Sequence, residues 1–129
     1  MFGNMNKFAL ALASLTVFAV PAHAQEFQKL SGSQIRAKLA GMQLTDEIHW
    51  VEAFFPNGKL IYNQMGYIRA GRWRVEQDQL CIAMASEKDP YCYEVWAYKK
   101  SIQLTESGSA ESPLEAVLER IDAELTKQH

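Results

Sequence analysis

EIHWVEAFFPNGKLIYNQ, residues 47–64, decides the architecture. Its first half, 47–55, is crowded with aromatic and β-branched residues that suit a pleated surface. Pro56-Asn57-Gly58 follows, and Asn-Gly between apolar runs is a strong hairpin signal. Lys59 to Gln64 then resumes a strand. The stretch therefore predicts strand, tight turn and strand.

The same pattern continues toward the C-terminus. Gly66 interrupts it, and Tyr67 to Glu76 predicts a further strand with Gly71 as a bulge or kink inside it. Gln77-Asp78 marks a turn, and Gln79–Ala85 and Tyr91–Tyr98 flank a polar SEKDP loop. Lys99-Lys100 turns the chain again into SIQLTE. Short connections between successive strands make the meander antiparallel.

Helices are predicted at both ends. Ser33 precedes QIRAKLA and Gly41, so a short helix over 33–40 has a cap and a stop, with Ile35 and Leu39 on one face. Ser112-Pro113-Leu114-Glu115 has the form of a capping box with proline at the first helical position. Leu114, Val117, Leu118, Ile121 and Leu125 then predict an amphipathic C-terminal helix. Glu106 to Ser112 reads as a flexible linker before it. The expected fold is mainly β: an antiparallel meander curled into a small barrel or half-barrel, with a helix at each end.

The N-terminus carries an address. Lys7 precedes an apolar run over 8–20, shorter than the roughly 20 residues a membrane span requires. Pro21 and Ala22-His23-Ala24 follow, an A-x-A site of the kind a signal peptidase reads. Residues 1–24 are thus expected to be a cleaved signal peptide, 25–105 a β domain and 106–129 an acidic linker and helix. The expected location is periplasmic or secreted, with no membrane span after cleavage.

That compartment gives meaning to Cys81 and Cys92, the two cysteines of the chain. An even pair in an oxidising space predicts a disulfide. If they oppose each other on neighbouring strands, Leu80 faces Tyr93 and Ile82 faces Tyr91, while the cysteines and Trp96 occupy the other side. No C-x-x-C motif suggests a redox role.

Formal net charge is −2, which argues against a nucleic-acid or anionic-membrane binder. No metal site or cofactor is expected, because His49 and His129 alone could join the cysteines after cleavage. No catalytic residue is assigned. His49 has no evident nucleophile beside it, and Asp46, Glu47 and Glu52 have no spacing specific to paired-carboxylate chemistry. The candidate ligand residues are Trp50, Phe54, Tyr62, Tyr67, Trp73 and Trp96, which either fill a core or line a pocket. Arg72 and Arg74, two apart on a strand beside Arg69, are candidates for holding an anion.

The order LSGSQIRAKLAG (30–41), Gly71-Arg72-Trp73-Arg74-Val75, Leu80-Cys81 and Tyr91-Cys92-Tyr93 resembles small exported bacterial proteins of unassigned function. In these a leading helix precedes a G-x-W-x-V…L-C…C β core. The resemblance covers residues 30 to about 98 and implies a periplasmic, disulfide-bearing, calycin-like meander. It transfers no catalytic residue. The expected function is non-enzymatic binding, of a small apolar ligand or of an envelope protein through an exposed face or the C-terminal helix. A hydrolase is the less favoured reading.

Overall fold

The computed structural model describes residues 3, 11–17 and 26–128. The predicted cleavage site at Ala22-His23-Ala24 lies outside the described residues, as do positions 8–10 and 18–20 of the apolar run. Leu12, Leu15 and Val17 are exposed and belong to no regular element.

Nine strands and two short helices follow one another: β1 (Gln28–Lys29), α1 (Gly32–Leu39), β2 (Met42–Thr45), β3 (Trp50–Phe54), β4 (Lys59–Gln64), β5 (Tyr67–Glu76), β6 (Gln79–Met84), β7 (Tyr91–Tyr98), β8 (Ser101–Glu106), β9 (Leu114–Arg120) and α2 (Ala123–Thr126). From β2 to β9 each strand pairs antiparallel with the next, and β9 returns to pair with β2. The result is a closed eight-stranded barrel with β1 as an extra strand. A small disulfide-bearing barrel of this kind is compatible with a calycin-like fold.

Local chemistry explains the turns. Gly58, at φ 91°, ends the 55–59 hairpin, where Gly58 N donates to Phe55 O at 3.0 Å. Met65-Gly66 and Gln77-Asp78 both have positive φ at each residue, as two-residue hairpins between right-twisted strands require. Gly71 serves a different purpose from the expected bulge. It stays in register between Leu60 and Met84, and a Cβ there would lie 2.7 Å from Ala83 O.

The N-terminal helix is shifted one turn position from expectation. Its cap is Ser31, not Ser33: Ser31 Oγ accepts from Gln34 N and Ser31 N donates to Gln34 Oε1, completing a capping box. Gly32 N also donates to Asp78 Oδ1 at 2.7 Å, tying the helix to the β5–β6 turn. Ile35 and Leu39 enter the barrel core, fully buried with Leu44, Phe54, Leu60, Leu80 and Val95. This fills the lower end of the barrel.

The C-terminal segment corrects the expected long helix. Leu114–Arg120 is strand β9, and helix is confined to Ala123–Thr126. Leu114, Ala116 and Leu118 satisfy a period of two, while Leu114 and Leu118 also fit a helical stripe, and the unpaired sides of β2 and β8 take this segment as their common neighbour. Beyond β9, Leu125 and Ile121 cover the outer face of β3 and β4 against Ala53, Phe55 and Ile61. Gln43, fully buried, anchors this tail by donating to Glu119 Oε1 at 2.6 Å and accepting from Asp122 N at 2.9 Å.

The cysteines are joined, and they oppose each other in the β6–β7 register. Leu80 faces Tyr93 and Ile82 faces Tyr91, as the sequence predicts. The bridge closes an 11-residue separation. Reducing it is expected to lower stability by about 3 kcal/mol. Urea melts with and without reductant measure this; coincident curves would remove the bridge from the account of stability.

Candidate functional site

Strand alternation gives the barrel two different halves. Below, Ile35 and Leu39 of α1 pack with the large side chains into a buried cluster. There Phe54 and Trp73 meet edge to face at 5.5 Å, and Trp73 Nε1 donates to Phe55 O at 2.8 Å. Arg36 of α1 lies 5.4 Å over the Trp73 ring. Phe54 and Trp73, both candidate ligand residues, are therefore core.

Above, the loops 46–49, 65–66, 85–90 and 107–113 surround an open cavity of about 360 Å³. Its polar side is Glu52, Arg69 and Glu87, and its aromatic side is Trp50, Tyr62, Tyr91 and Tyr93. Ile82, Met84, Leu104 and Leu114 form the apolar wall. Two candidates from the sequence, Trp50 and Tyr62, are thus brought together here, with ring centroids 6.4 Å apart. Tyr67 stands exposed on the rim. Trp96 pairs with Gln103 and Lys29 in the register that carries Cys92, which places it on the outer face.

The register also sorts the arginines. Glu52, Tyr62 and Arg69 are directly opposed across β3, β4 and β5, so all three point inward. Arg69 lies 4.9 Å over the Tyr62 ring and 3.7 Å from Glu87 Oε1. Arg72 and Arg74 take the opposite face. Arg74 pairs with Glu76 at 2.9 Å, and Arg72 donates to Asn57 O at 3.2 Å. The two candidate anion ligands are exposed outside the barrel, and the inward cation is Arg69.

Glu52 is the group that sequence reasoning undervalued. It is 8% exposed, and no hydrogen bond from a described residue reaches its carboxyl. Burial raises its pKa from 4.5 to about 7, although the Arg69 charge pulls the other way. Burial also pushes the Tyr93 hydroxyl up to about 12, helped by the negative charges of Glu106 and Glu52. The signal was present in parity: Trp50, Glu52 and Phe54 share one face of a strand, so a carboxylate sits between two aromatics.

Asp46 has a structural duty. Partial burial opposes its ionisation, but N–H groups of Trp50, His49 and Ile48 and the His49 ring all turn to it and hold it well below the carboxylate range. His49 is exposed in the loop before β3 and bonds Asp46 Oδ2 through Nδ1 at 2.8 Å. Glu47 is exposed in that loop, at φ 70°. These carboxylates therefore form no converging set with Glu52 in the cavity. Among the described residues no cluster of His, Cys, Asp and Glu is placed to hold a metal ion, and no helix is long and apolar enough to cross a membrane.

No family model matches this chain, and no curated protein and no solved structure matches it either.

Proposed function

We propose that this protein is an exported, periplasmic binding protein of calycin-like type that holds a small amphipathic ligand in the open end of its barrel. The supporting observation is the cavity itself. Ligand sites are concave, mostly apolar and carry a few convergent polar groups. The upper half of this barrel has that composition while its lower half is filled. The disulfide is consistent with an oxidising compartment, where such a domain works. Residues 1–24 supply the export signal in this reading.

Native mass spectrometry of the protein recovered from its own compartment tests the proposal. A reproducible additional mass of a small molecule is expected. A bare monomer from every preparation would overturn it.

A second reading has its own observation. Ile48, Met65, Tyr67, Ile68, Tyr91 and Leu114 are exposed around the mouth. Such a rim suits an envelope protein as partner, docked across the open end. The C-terminal segment is a poorer candidate for that role, because Leu118 of β9 and Leu125 of α2 are buried in the two cores.

A further inference from the structure

We infer that the ligand is a cationic amphiphile, an alkyl or aryl ammonium whose head is received by Glu52 among the aromatic rings of the cavity. The inference rests on the ligand-binding reading and adds the chemistry of the head group.

The unmatched group in the cavity is an acceptor. Glu52 is 8% exposed, takes no hydrogen bond from a described residue and opens only onto the cavity, so a donor bound there would complete it. Oε2 of Glu87, also in the cavity lining, is buried without a hydrogen-bond partner. The cavity's cation is outnumbered: Arg69 lies over Tyr62 and 3.7 Å from Glu87 Oε1, one positive charge beside two carboxyls. A ligand carboxylate at Arg69 would sit beside the carboxyls of Glu87 and Glu52. An ammonium instead supplies donors and positive charge, and Trp50, Tyr62 and Tyr93 line the cavity with aromatic rings of the kind that attract a cation.

The approach to the cavity has the same sign. Asp46, Glu47, Glu87, Asp89, Glu106 and Glu111 lie on or beside the upper loops, where Lys88 is the basic counterpart among the loop residues. This field raises the local concentration of organic cations. The apolar wall of Ile82, Met84, Leu104 and Leu114 then takes the tail, which leaves past the apolar rim.

Titration calorimetry with decylamine, decanol and decanoate on the full chain tests the head-group assignment at matched tail length. Decylamine is expected to bind at least tenfold tighter than the other two. Glu52→Gln should lose that preference while still binding decanol, which also reports that the variant is folded. Equal or tighter binding of decanoate or decanol by the wild type would overturn the assignment and leave the ligand-binding reading standing. The wild-type ranking decides the matter even if the variant misfolds. An unchanged preference in a folded Glu52→Gln would also overturn it. Failure of all three probes to bind would remove the binding reading and the inference together.

Discussion

Replacing Glu52 by Gln is expected to leave stability unchanged at a pH of about 3.5 and to raise it by about 3 kcal/mol at a pH of about 8.5. The folded carboxyl titrates at about 7 against an ordinary 4.5, because burial disfavours its charge. Between those values the native state binds the extra proton. Stability from this group is therefore complete below the unfolded pKa and is lost as pH rises through about 7. A neutral amide of the same shape resembles the protonated carboxyl and does not titrate. Other ionisable groups contribute to both proteins and cancel in the difference. Denaturant melts of the pair across pH measure that difference, and parallel curves would show that Glu52 is solvated or paired. The same substitution that weakens binding of an ammonium should thus stabilise the empty protein, the trade expected of a group kept for function.

Truncation after Glu111 should abolish cooperative folding altogether. It removes β9, so β2 and β8 each lose a neighbour and the barrel opens. It also removes Ala116 and Leu118 from the inner core and Leu125 from the outer one. Each large buried side chain of this kind is worth roughly 2–5 kcal/mol, against a total stability of about 5–15 kcal/mol. Ending the chain after Asp122 instead should keep the barrel, since every strand survives, at the smaller cost of the Leu125 contact. Thermal unfolding followed by near-ultraviolet circular dichroism distinguishes the two. A cooperative transition in the shorter chain would mean that β9 is a detachable appendage.

That contrast marks where the sequence stops being legible. The 55–59 turn, the β6–β7 register and the antiparallel order depend on neighbours a few residues apart, and they could be read directly. Strand β9 could not. A capping-box pattern at Ser112 and a stripe at helical spacing are local signals, whereas the competing strand is stabilised by β2, distant along the chain. β2 was hidden for the same reason: four residues between Gly41 and Asp46 have too little pattern to announce a strand before its partners are known. In the candidate site, aromatic density singled out Trp50 and Tyr62, which line the cavity, together with Phe54 and Trp73, which do not, because density does not separate the filled end from the open one. Phe54 and Trp73 lie below because α1 inserts Ile35 and Leu39 there. Parity along β5 separates Arg69 from Arg72 and Arg74, yet which parity faces inward is set by the pairing of Tyr62 with Arg69.

The two-residue strand β1 has a consequence beyond its size. β7 outruns β6: their pairing ends at Leu80 and Tyr93, while β7 continues to Tyr98. Gln28 and Lys29 take the places opposite Ala97 and Trp96, and Leu30 N donates to Val95 O at 2.8 Å. Without them, that length of β7 would offer free N–H and C=O groups to any extended chain nearby, the usual starting point for strand addition between molecules. The segment Gln28–Lys29 thus covers an edge against self-association, occupying the place where a second copy could otherwise begin to add its own strand.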